Sequence, residues 1–143
     1  MLKGISPLLS PQLLSVLSEM GHGDEIVLAD AHFPSASVGR RVIRADGLRI
    51  AELLEAVLPL FELDAYVEAP VAMMAVAPGD SADLAVEASY QAVIRRHAPR
   101  VKPPEKVERF AFYERARTAF AVVATGDTVK YANIILKKGA TPV

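Results

Sequence analysis

Residues 21–34 read GHGDEIVLADAHFP and put two of the chain's three histidines, His22 and His32, beside the carboxylates Asp24, Glu25 and Asp30. Three chemistries are open to this set: a divalent-metal site, an acid–base site, or loop and cap residues with no chemistry. The metal reading needs His22 and His32 to converge, yet a short apolar run separates them, and such a strand spans roughly 17–20 Å. None of the HxH, HxxxH or HExxH spacings that place two ligands on one face is present. The acid–base reading asks less. Asp30 would end a buried strand, where α/β sheets open their ligand crevices. His22 lies in a glycine-flanked turn, and histidine is the side chain best poised to exchange protons near neutral pH. The bland alternative keeps His22 as a hydrogen-bonded loop residue and Asp30 as a turn former.

Two further stretches carry polar groups suited to a ligand. Tyr131, Ala132 and Asn133 (YAN) offer a hydroxyl and an amide that both donate and accept, as sugar hydroxyls require. Residues 108–117, ERFAFYERAR, hold three arginines among aromatics. Glu108 and Glu114 offset that charge, so an amphipathic helix with a salted outer face explains the stretch as well as a phosphate site does. GxSxG, the P-loop and GxGxxG are all missing, which leaves serine hydrolysis, phosphoryl transfer and dinucleotide redox chemistry without a motif.

The elements that position these groups follow from pattern. Ser10-Pro11 starts a helix with a hydroxyl cap and a first-turn proline. Leu13, Leu14, Leu17 and Met20 give it one apolar face, and Gly21 is placed to cap its end. EIVLAD and VAMMAVA (residues 71–77) are continuous apolar runs, as in strands covered on both faces. A strand over residues 41–45, a turn at Asp46-Gly47 and an amphipathic helix from Ile50 to Leu58, ended by Pro59, follow. Pro78-Gly79-Asp80 breaks the chain, and Asp80 or Ser81 can cap a helix reaching His97. The proline-rich residues 98–106 form a loop. VERF is expected as a strand, AFYERART as a short helix, AFAVVAT as a strand, and YANIILKK as the last strand, joined to the one before it by a hairpin through Gly126-Asp127. The pattern predicts an α/β fold, a single-domain three-layer α/β/α sandwich over residues 1–143 with a mixed, mostly parallel sheet.

Composition bounds the rest. The chain has 143 residues, 52% of them hydrophobic, and a net charge of −1. That suits one domain with a real core, and the apolar excess suits either that core or a subunit interface. A near-neutral chain without a basic stripe is not built for nucleic acid. Without cysteine there is no thiolate zinc site, disulfide or thiol nucleophile. No secretion signal is seen and no apolar run is long enough to span a membrane, so a cytoplasmic location is expected.

Taken together, GHGDEIVLADAHFP, IRADG, PLFELDAYVE, RFAFYERA and YANIILKKG resemble the L-fucose mutarotase family, the fucose branch of a superfamily shared with D-ribose pyranases. Ribose pyranases are similar at GH.D and YANI but lack the DAHFP and RFAFYERA wording. The resemblance implies an isomerase that interconverts the α and β anomers of a free monosaccharide, with no metal and no other cofactor. It implies His22 as proton donor and Asp30, Arg109, Tyr131, Ala132 (through its backbone) and Asn133 as sugar-binding residues. Asp64, Met74 and Tyr113 match further pocket positions, and Tyr113 or Asp64 could assist proton transfer. His32 is left a supporting role, and His97 is expected exposed at a helix end. The family also implies a homo-oligomeric, decameric ring with sugar pockets at subunit interfaces, YAN then coming from a neighbouring copy. A D-ribose pyranase and a non-catalytic sugar-binding assembly remain as alternatives.

Overall fold

The computed structural model describes residues 1–143. Six strands form one sheet in the order β2-β5-β1-β6-β3-β4. They are β1 (Glu25–Ala29), β2 (Val42–Ala45), β3 (Val71–Met74), β4 (Glu105–Val107), β5 (Ala121–Thr125) and β6 (Ile134–Lys137). The helices are α1 (Pro11–Glu19), α2 (Ser35–Val38), α3 (Ile50–Val57), α4 (Leu84–His97) and α5 (Arg109–Thr118). β1 pairs in parallel with β5, β5 with β2, and β3 with β4, while β6 runs antiparallel to both β1 and β3. The sheet is therefore mixed with a single reversed strand. β5 is buried at every position and β1 at all but its first, as their unbroken apolar runs require.

Side chains alternate across the sheet and build two cores. Ile26 and Leu28 face a large cluster with Leu13 and Leu17 of α1, Leu53 and Leu54 of α3, and Val93 of α4. Val27 and Ala29 face a smaller one with Val38 of α2 and Phe112 and Ala116 of α5. Helices thus cover both faces, giving the three layers expected.

Local chemistry sets the helix starts. The Ser10 hydroxyl accepts from the Leu13 amide at 3.1 Å, with Pro11 in the first turn. The helix stops at Glu19, with Met20 rather than Gly21 at its cap. α4 begins later than expected, because Asp83 and not Asp80 or Ser81 caps it, accepting from Ala85 N–H at 2.9 Å. α5 begins earlier, since the Glu108 carboxylate caps the amides of Phe110 and Ala111 and draws Arg109 and Phe110 out of the expected VERF strand. That strand is instead β4, which takes Glu105 and Lys106 from the expected loop, and β3 stops at Met74 rather than Ala77.

The hairpin through Gly126-Asp127 does not form, because β1 lies between β5 and β6. The dipeptide has another task. A Cβ on Gly126 would sit 1.9 Å from the Asp46 carbonyl oxygen, so only glycine fits against the turn after β2. Asp127 Oδ2 accepts from Ile50 N–H at 3.2 Å and so caps α3 from a distance. Residues 131–133 precede β6 and form the turn that leads into it.

Candidate functional site

Because β1, β3 and β4 run one way and β6 the other, one edge of the sheet collects the C-terminal ends of β1 and β3, the start of β6, and the start of α5 just beyond β4. A depression of about 360 Å³ opens there. Asp30, Phe33, Met74, Arg109, Tyr113, Tyr131 and Asn133 line it, together with His32, Asp80 and Lys130. Six of the nine residues singled out from sequence, Asp30, Met74, Arg109, Tyr113, Tyr131 and Asn133, therefore meet within one chain. Ala132 lies buried between two of them.

Asp30 forms the polar floor. Its Oδ1 accepts from the amides of His32 at 2.9 Å and Phe33 at 3.0 Å, and its own amide donates to Asn133 Oδ1 at 2.7 Å. With its carbonyl so used, Asn133 has its NH2 group unpaired within the chain and not sealed from solvent. It is a free donor beside the carboxylate. Asp30 is only 4% exposed. Burial raises its carboxyl above the ordinary aspartate value, against the backbone amides of His32, Phe33 and Ala132 that favour the charged form. A carboxylate so raised is a better proton acceptor than one in water.

Tyr131 holds φ of 59°, the one non-glycine residue in the left-handed region. Such a conformation costs on the order of 1–2 kcal/mol and persists only where the surroundings over-determine it. Here they do. The buried Tyr90 hydroxyl of α4 donates to the Ala132 carbonyl at 2.7 Å, and Asn133 is tied to Asp30. Across the depression, Arg109 Nε donates to the Tyr113 hydroxyl at 3.3 Å, one helical turn along α5. Tyr113 in turn packs on Phe33, with ring centroids 5.5 Å apart.

His22 and Asp64 are elsewhere. They meet at the opposite edge of the sheet, where His22 Nε2 lies 3.0 Å from Asp64 Oδ1. The six residue steps from Asp24 to Asp30 along β1 put the two edges roughly 20 Å apart. Asp64 also accepts from Tyr66 N–H at 3.0 Å, and that bond, then His22, lowers its carboxyl below the ordinary value. It is therefore an acceptor, so Nε2 of His22 carries hydrogen and Nδ1 is the nitrogen left for other chemistry. The His22 side chain is 46% exposed, and its ring stands 5.3 Å from that of Tyr66, itself 83% exposed. Gly139 makes this edge possible: a Cβ there would come within 2.8 Å of Asp64 Cα. A wider cleft of about 770 Å³ runs past Asp64 and Tyr66 toward residues 97–102.

YAN belongs to the same chain as Asp30, not to a neighbour, since Asn133 bonds directly to the Asp30 backbone. His32 supports Asp30 through its amide while its ring reaches the Thr128 carbonyl at 3.2 Å. His97 ends α4 at the surface, 3.3 Å from Glu55. No three histidine or carboxylate side chains converge as a metal site. No helix is long and apolar enough to cross a membrane. Sequence reasoning missed Asp80 and Lys130 on the depression wall. Asp80 follows β3 in a Pro-Gly-Asp loop, and the tendency of such loops to line a crevice was the available signal.

Residues 3–141 match the model of the RbsD / FucU transport protein family. The L-fucose mutarotase of Glaesserella parasuis is 64% identical over 143 residues, covering 100% of this chain and 98% of the relative. The crystal structure of the fucose mutarotase from Streptococcus pneumoniae in complex with L-fucose superposes with a TM-score of 0.93 at 48% identity, covering 99% of this chain and all of that one. FucU from Bifidobacterium longum superposes equally well, with a TM-score of 0.93 at 44% identity over 98% of this chain and all of that one. On sequence and on fold alike, the chain is a member of the RbsD / FucU family.

Proposed function

We propose that this protein is an L-fucose mutarotase, a cofactor-independent isomerase that interconverts the α and β anomers of the free sugar. The observation that carries the reading is its near-complete superposition on a fucose mutarotase that was solved with L-fucose bound. The depression at Asp30 has the right chemistry for such a ligand: a carboxylate, a free amide donor, a guanidinium and two phenols around an apolar Met74 and Phe33.

Mutarotation transfers protons and opens and re-closes one carbon–oxygen bond, with no redox step and no group transferred. The anomeric hydroxyl loses its proton as the ring oxygen gains one, the bond from C1 to the ring oxygen breaks, and an open-chain aldehyde forms. Rotation about C1–C2 presents the other face, and the reverse transfers close the ring. Asp30, raised by burial, suits the task of accepting the anomeric proton. The second group is His22. Because it stands at the far edge of its own chain, we assign it to the site of a neighbouring copy, where the ring in its doubly protonated form delivers the Nδ1 proton while Asp64 fixes the ring through the Nε2 hydrogen. Exposed His22 and Tyr66 on one edge and exposed Phe110 beside Arg109 at the other fit a contact between copies. A closed ring, decameric by the family resemblance, places such a contact between every pair of neighbours. We take residues 1–143 as one catalytic domain. We place it in the cytoplasm, a reducing compartment where a chain free of cysteine loses nothing.

The test is anomer exchange by saturation-difference NMR at neutral pH. Addition of the protein should speed α/β exchange of L-fucose, with or without a chelator, and more than that of D-ribose. Unchanged exchange of both sugars by assembled protein would remove the mutarotase reading.

A further inference from the structure

Asp80 stands outside the residues that the resemblance assigns, yet it grips one of them. The loop from β3 to α4 folds back on the depression, turning at Gly79 with φ of 82°. Its Asp80 Oδ2 accepts from the Tyr131 hydroxyl at 2.8 Å, and Oδ1 accepts from Lys130 Nζ at 2.9 Å. The same phenol oxygen accepts from the Ala77 amide at 3.2 Å. Two residues of one loop thereby clasp a side chain that follows them by about fifty positions.

This clasp fixes which hydrogen-bonding role Tyr131 can play. A carboxylate can only accept. Lys130 first and the Tyr131 hydroxyl next, with the Ser81 amide, hold the Asp80 carboxyl down to about 2, so it stays ionised across any working pH. The single phenol proton is therefore committed to Asp80, and one oxygen lone pair to Ala77. What remains to face a ligand is a lone pair and no proton.

We propose that Asp80 is a positioning residue which leaves the Tyr131 hydroxyl only an acceptor toward the ligand and so selects a sugar bearing a donating hydroxyl at carbon 2, 3 or 4. The proposal rests on the mutarotase reading and on Tyr131 facing the sugar. It adds a direction to that contact: the sugar gives the proton and the enzyme receives it. The same bond helps to hold the left-handed turn at Tyr131, so the loop after β3 and the turn before β6 act as one wall.

Replacing a hydroxyl by fluorine keeps its size and a weak acceptor but removes the donor. Anomer exchange should therefore be followed for L-fucose and its 2-, 3- and 4-deoxyfluoro analogues with the full-length assembled protein. For one analogue, wild type should show KM raised by about tenfold or more, since a site built around one hydrogen bond rejects the ligand that leaves it unmade. In Asp80→Ala, KM for L-fucose should rise with kcat changed less, and the gap between L-fucose and that analogue should shrink, because the phenol proton is released to donate. Asp80→Asn keeps an accepting oxygen and should restore the gap. Lys130→Ala leaves the Tyr131–Asp80 bond in place and should keep it as well. Wild type that treats all three analogues like L-fucose overturns the proposal, as does an Asp80→Ala protein that loses kcat alone with the gap intact. Wild type with no effect on L-fucose exchange overturns both this proposal and the mutarotase reading, which separates that failure from the other two.

Discussion

Asp30 and Asp64 are each 4% exposed, yet their carboxyls move in opposite directions. Asp30 sits at the floor of the depression at one sheet edge, and burial raises it despite three backbone amides. Asp64 sits at the other edge, beside the wide cleft, with the Tyr66 amide and His22 against it, and is lowered. Surface accessibility registers only the nearest shell of atoms, whereas a charge responds to solvent and dipoles well beyond it. One edge thus keeps a carboxylate reactive, and the other uses one to hold a histidine. The two sets of groups complement each other but lie at opposite ends of β1, which is the ground for the proposal that a site is completed between copies.

The largest effects are expected at Asp30 and His22. Asp30→Ala and His22→Ala should each slow L-fucose anomer exchange by roughly 10²–10⁴-fold, the range of a lost acid–base group. Refolding the two variants together should recover part of the activity, because a mixed assembly forms some sites with Asp30 from one copy and His22 from the next. No recovery from mixed assemblies of proper size would mean that each chain works alone. Below this in size comes Asp64→Asn, expected to cost at least about tenfold by freeing the His22 ring, as when a histidine loses the carboxylate that orients it. The loss should appear in kcat, with sugar affinity at the Asp30 edge little changed. Gly139→Ala offers an indirect route to the same result, since its methyl group would press on the Asp64 backbone.

Much of this layout was legible in the chain. The apolar runs at residues 25–29 and 121–125 marked the central strands, and Ser10-Pro11 marked the first helix, since each signal is local and its consequence is local. The hairpin at Gly126-Asp127 went wrong because a turn dipeptide says nothing about which strand slides in between. That was decided by the pairing of β1 with both β5 and β6. Similarly, Asp30 and YAN were identified as polar groups, but their direct bond joins residues 103 positions apart, and His22 meets Asp64 across 42. Asp80 had a sound local explanation as a helix cap, and that explanation hid its bond to Tyr131.

A smaller effect tests the wall rather than the chemistry. Tyr90 is buried, and its hydroxyl is the partner of the Ala132 carbonyl. Tyr90→Phe leaves that carbonyl unpaired, which should lower stability by about 1–3 kcal/mol. Denaturant unfolding reads this directly. The left-handed turn at Tyr131 then has one support fewer, so KM for L-fucose should rise modestly while the proton-transfer groups stay in place. A stability loss with KM unmoved would mean that the turn is held from the Asp30 and Asp80 side alone.

The smallest effect is the pH dependence that the raised Asp30 implies. Its folded pKa lies above the unfolded value of 3.8, so between those two values the folded state binds more protons than the unfolded one. Stability rises with pH where the unfolded state binds the excess; here the folded state does, so this group's contribution grows as pH falls through the raised value and levels off, fully present, once both states are protonated. Asp64 and Asp80 work the other way, losing their stabilisation only as pH drops below the ordinary aspartate range toward their lowered values. Asp30→Asn removes only the first of these contributions. The melting temperature of wild type relative to Asp30→Asn should therefore climb between neutral pH and about pH 4, while Asp64→Asn measured the same way should not produce that climb. A flat difference for Asp30→Asn would mean that the amides of His32, Phe33 and Ala132 fully offset its burial, and the two edges of β1 would then differ in what they hold but not in how they charge.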